Sequence, residues 1–189
     1  MTGTGHAGDG HSRVPLPDKA WRAVVWGGAG ILLLLPWIAM QFTSEVNWTG
    51  FDFLVFGAML ATGCIACEIA VRASRSNAYR FAAAIAVGTG FLLVWINLAV
   101  GIIGSEDNLE NLVYVGVLAV AIIGAAVARL RAAGMVRAMV ATAIAHALTG
   151  AYGLAIGSME AAVSGIVFVA AWLASAWAFQ RAAKAAGQG

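Results

Sequence analysis

"FLLVWINLAVGIIGSEDNLENLVYVGVLAVAIIGA", residues 91–125, decides the fold. Two apolar runs flank a short segment in which Glu106, Asp107 and Glu110 fall within five positions, with no Lys or Arg anywhere in the stretch. About 17 to 25 predominantly apolar residues cross a bilayer as a helix. Hydrocarbon offers a lone segment no other solution, because every backbone N–H and C=O must be paired within it. The stretch therefore reads as two membrane spans joined by a short acidic turn.

The same alternation continues on both sides. Apolar runs at 23–42, 53–71, 81–103, 112–128, 138–156 and 161–179 predict an all-α membrane protein, a bundle of six transmembrane helices. The composition agrees: 61% of the 189 residues are hydrophobic and 11% charged, against about 45–50% and about 25% in ordinary soluble domains. A water-soluble fold of this size could not bury so much apolar surface. Residues 1–18, rich in Gly and polar side chains and carrying Pro15 and Pro17, predict a disordered tail. The membrane domain is then 19–182, with a short second tail at 183–189. No small-residue cleavage site follows the first run, which is expected to stay as a signal anchor.

Charge orients the bundle. With six spans, all eleven basic residues (Arg13, Lys19, Arg22, Arg72, Arg75, Arg80, Arg129, Arg131, Arg137, Arg181 and Lys184) fall on one side. Glu45, Asp52, Glu106, Asp107, Glu110 and Glu160 fall on the other. Lys and Arg in short loops mark the cytoplasmic face, so both termini are expected there. The basic side would meet anionic lipid heads. The basic residues are split over four segments, each flanked by spans, which argues against nucleic acid as a partner.

A threefold repeat of helical hairpins is an option the sequence leaves open. The acidic-side turns begin at Thr43-Ser44-Glu45, Ser105-Glu106 and Ser158-Met159-Glu160, and Arg22, Arg80 and Arg137 open the odd-numbered spans 22, 25 and 21 residues earlier. Any row of membrane hairpins places Arg inside, so only the Ser-acid turns count as independent signal. Within those turns, Asp107 and Glu110 have the spacing of an N-cap and its reciprocal partner, as do Thr49 and Asp52. The alternative for Glu106, Asp107 and Glu110 is an outer site for a cation or partner.

Ionisable groups inside spans are the other candidates, because burying charge in hydrocarbon is costly. Glu68 lies four residues before Arg72, which predicts an ion pair near the interface. His146 lies nine residues after Arg137, about 13 Å along a helix and so near mid-bilayer. A bond to another span or to Thr142 would make it structural, whereas a proton relay or a haem or metal ligand would make it functional. Asn97 is expected to bond across helices. Cys64 and Cys67 share a helix face next to Glu68, but zinc wants more ligands and haem attachment wants a His where Glu68 stands, so packing thiols are expected. Trp37, Trp48, Trp95, Trp172 and Trp177 are expected in interfacial belts, and Pro36 should bend the first span.

At 40–53, "MQFTSEVNWTGFDF", and across 91–125, the chain resembles a family of small uncharacterised multi-pass bacterial inner-membrane proteins. That resemblance implies a bacterial inner (plasma) membrane location and brings no activity with it. No nucleophile motif, phosphate loop or metalloprotease signature occurs, so no catalytic residue, metal ligand or cofactor is assigned. Three functional readings stand. The first is a non-enzymatic membrane interaction or accessory module, with the lipid bilayer and a second copy or another membrane protein as partners. The second is a small proton- or ion-coupled transporter or channel using His146 and Glu68. The third is a haem- or metal-binding redox protein using His146 or the two cysteines.

Overall fold

The computed structural model describes residues 17–187 and is all-helical over that range. Six helices cover it: α1 (Asp18–Ala39), α2 (Gly50–Ala73), α3 (Asn77–Ala99), α4 (Val113–Val127), α5 (Ala132–Ala155) and α6 (Met159–Ala186). A 3₁₀ turn at Leu109–Leu112 leads into α4. Each helix, α4 together with its 3₁₀ turn, is long and apolar enough to cross a membrane. Most of the tail expected at 1–18, with Arg13, and the last two residues lie outside the described range.

Local chemistry sets the ends. Thr49 caps α2 in a reciprocal box: the Asp52 carboxylate accepts from the Thr49 N–H at 2.7 Å, and the Thr49 hydroxyl accepts from the Asp52 N–H at 3.4 Å. Ser76 and Ser158 cap α3 and α6 in the simpler way. Pro36 sits in the last turn of α1, where only a few backbone bonds remain to be lost. α6 runs on to Ala186 because Ala182 is buried and the Ala-rich end favours helix, so most of the expected second tail is helical.

The third span ends earlier than its apolar run. Gly101 takes φ +72° and turns the chain out of α3, and a Cβ there would strike the Ser105 backbone. Ile102 and Ile103 are apolar because they pack into the core from the loop, not because they extend the helix.

The main helix contacts run in the order α1–α2–α3–α6–α5–α4. The α5/α6 hairpin is the tightest pair. Gly150 faces Gly165, where a Cβ would lie 3.1 Å from the opposite Cα, and a Cβ on Gly153 would collide with Ala161. Small residues thus let two backbones meet, which is how helices associate without a hydrophobic driving force. α3 and α4 do not pair mainly with each other: α3 lies on α6, stitched by the Ser175 hydroxyl donating to Ala82 O at 2.9 Å, and α4 lies on α5 through Gly124. The two basic-side turns of equal length also differ. The turn at 74–76 is extended, whereas Arg129 and Leu130 are left-handed at φ 49° and 56°. Tyr79 steadies the second turn by donating to Leu130 O at 2.6 Å.

Candidate functional site

The candidate residues fall into separate places. His146 projects from α5 into the seam with α4 and α6 and is fully buried, 0% exposed. The small side chains of α5 bring α6 close enough for Phe168 to stack on the imidazole, 5.1 Å between ring centres, while Tyr114 of α4 approaches at 5.5 Å. The Trp172 indole N–H donates to His146 Nδ1 at 3.4 Å, a long bond. An acceptor at Nδ1 places the proton of the neutral ring on Nε2, which has no hydrogen-bond partner among the described residues. The Tyr114 hydroxyl lies within reach of the Ser164 and Thr149 hydroxyls without a well-formed bond to either. Thr149 itself donates to His146 O at 2.7 Å.

Of the two structural partners expected for His146 the seam supplies the one on another span, and it corrects the expectation for Trp172. Thr142 is not the partner of His146, since its hydroxyl donates to Ala138 O at 2.9 Å within α5. Trp172 is not a belt residue: it is 1% exposed and belongs to the core. It stands thirteen residues after the start of α6, about 20 Å along the axis and too deep for an interface. That arithmetic was available in the sequence.

Glu68 sits at the other edge of the bundle, between α1 and α2 near their basic ends. The expected pair with Arg72 is present at 3.4 Å, and Arg22 of α1 comes closer, 2.5 Å from the same carboxylate oxygen. Sequence spacing shows only contacts within one helix, so the α1 partner was missed. Cys64 and Cys67 are buried free thiols on the α2 face toward α1, with the Cys64 thiol 3.8 Å from Val25 O. Among the described residues, no three His, Cys, Asp or Glu side chains gather as metal ligands would. Asn97 also differs from expectation. Its amide donates to Leu93 O at 2.8 Å on its own helix, and its carbonyl oxygen is buried with no partner among the described residues.

The acidic loop is held by an amide, not by its acids. Asn111 accepts from the N–H groups of Ile102 at 3.1 Å and Ile103 at 2.9 Å, and donates to Ser105 O at 2.7 Å. The cap of the 3₁₀ turn is Asn108, which accepts from the Glu110 N–H at 3.0 Å. Asp107 is therefore not the expected cap, because the turn begins one residue later. Glu106 and Asp107 are exposed, and Glu110 meets the Tyr152 hydroxyl at 3.4 Å. One further ion pair was not foreseen. Arg80, 2% exposed, reaches Asp18 at 2.6 Å and also donates to Ser74 O at 3.0 Å. Asp18 thus belongs to the helical bundle instead of closing a disordered tail.

Comparison with protein-family models, curated proteins and solved structures found no match.

Proposed function

We propose that this chain is a non-enzymatic membrane interaction module whose α1 receives a transmembrane helix of a second copy or of another membrane protein. One observation carries the reading. Gly27, Gly28 and Gly30 lie within one turn of α1, and a Cβ on any of them would meet nothing within 4 Å. Glycine in a helix interior costs about 1 kcal/mol relative to alanine. Gly150 and Gly165 offset that cost by bringing α5 against α6, and the glycines of α1 have no such neighbour among the described residues. Gly27 and Gly30, three positions apart and exposed, share a face of α1, and a helix packed on that face from outside would use the notch they leave. No residue of α1 is buried, and its main neighbour is α2 alone.

The charge asymmetry and the resemblance to inner-membrane proteins support a bacterial inner membrane with both termini cytoplasmic. Transport through His146 and Glu68 has less geometric support, because Glu68 bonds across α1 and α2 while His146 is enclosed by α4, α5 and α6. A redox centre at His146 or at Cys64 and Cys67 also has less geometric support, because among the described residues no three His, Cys, Asp or Glu side chains gather at either place.

The test is cross-linking in membranes with a photoreactive side chain at position 30, and at 123 as a lipid-facing control. Discrete protein adducts at 30, absent at 123, are expected, and Gly30→Ile should abolish association while leaving thermal stability in detergent intact. Adducts to lipid alone at both positions would end the proposal.

A further inference from the structure

Arg22, Arg72 and Glu68 meet at the mouth of a groove of about 460 Å³ between α1 and α2, whose other walls are Trp26, Ile65 and Ile69. Both guanidinium groups point at one carboxylate oxygen, Arg22 at 2.5 Å and Arg72 at 3.4 Å. Two cations on one anion leave a net charge of +1 where the bundle enters the bilayer. The unbalanced part is Arg72: its contact is the longer one, and its side chain is 72% exposed. A guanidinium carries five N–H donors, and its one long contact with Glu68 leaves most of them for a second anion.

The groove has a direction. α1 runs away from the basic end, so Trp26 lies one turn deeper than Arg22. α2 runs toward that end, so Ile65 lies seven residues, about 10 Å, deeper than Arg72. Charge at the mouth and apolar walls below match an amphiphile with one anionic head. Arg binds phosphate through a planar fork of donors, and an indole suits the level between head group and chain.

We propose that this groove binds an anionic phospholipid, its phosphodiester on Arg72 and Arg22 and its acyl chain along Trp26, Ile65 and Ile69. Glu68 positions Arg22 and limits the site to a single negative charge. The inference does not depend on α1 receiving a protein helix.

Native mass spectrometry of the full chain released from mild detergent tests it, with phosphatidylglycerol, phosphatidylcholine of the same chains, and inorganic phosphate as probes. Phosphatidylglycerol should be retained in preference to phosphatidylcholine, and inorganic phosphate should not displace it. Arg72→Gln should weaken retention about fivefold, the effect of one surface cation on an anionic lipid. Arg75→Gln removes a charge on the same side outside the groove and should leave retention unchanged. Glu68→Gln should hold the lipid at least as tightly. Equal losses in Arg72→Gln and Arg75→Gln, no preference between the two lipids, or displacement by inorganic phosphate would each overturn the assignment.

Discussion

The indole N–H of Trp172 on α6 points at Nδ1 of His146 on α5, 3.4 Å away and fully enclosed. The contact joins two helices in the least accessible part of the bundle. Trp172→Phe should leave Nδ1 without its donor and lower stability, and His146→Leu should remove the same bond from the other side. Interhelical hydrogen bonds in membranes average about 0.6 kcal/mol and reach about 1.7. The double variant should therefore cost less than the sum of the single ones by an amount in that range, measured by denaturant unfolding in detergent. Strict additivity would show that the bond contributes nothing.

In the acidic loop, Asn111 and Asp107 should behave in opposite ways. Asn111→Ala leaves the buried N–H groups of Ile102 and Ile103 without an acceptor, at a cost of about 1–3 kcal/mol. Asp107→Ala is exposed and caps nothing in the structure, so its effect should stay within about 0.5 kcal/mol. Melting temperatures of the two variants decide the ranking.

Glycine substitutions should separate the used notch from the unused one. Gly153→Ala places a methyl against Ala161 and should destabilise the protein by about 1–3 kcal/mol through overpacking. Gly30→Ala meets open space, so in the isolated chain it should be neutral or stabilising by up to about 1 kcal/mol. Both are read from thermal unfolding in detergent under identical conditions.

The Arg80–Asp18 pair is asymmetric, and its two halves should differ when removed. Arg80 is buried and also donates to Ser74 O and Val71 O, so Arg80→Ala takes these donors away and should cost about 1–3 kcal/mol. Asp18 is largely exposed, and solvent screening should hold the loss in Asp18→Asn to about 1 kcal/mol or less. Equal losses from the two variants, in unfolding experiments, would contradict this account.

Orientation is accessible to labelling. In a chain with Cys64 and Cys67 replaced by Ala, a cysteine at Leu109 should react with a membrane-impermeant reagent in intact cells, and one at Ala133 only after lysis. The reverse pattern would place the basic end outside.

The class of molecule was legible in the sequence because a bilayer accepts few structures. Six apolar runs, an eleven-to-none division of basic residues and the Thr49–Asp52 spacing are local signals, and each has a local physical cause. Partners in three dimensions were not legible, because every apolar run is compatible with lipid or protein on any face. Only the packing of α6 between α3 and α5 decided that Trp172 serves His146 and not an interface. Likewise, only the approach of α1 to α2 brought Arg22 to Glu68 from forty-six positions away in the chain. Periodicity reports what a residue meets within its own helix. Which helices become neighbours depends on where small residues let backbones close, and that is a property of pairs of helices.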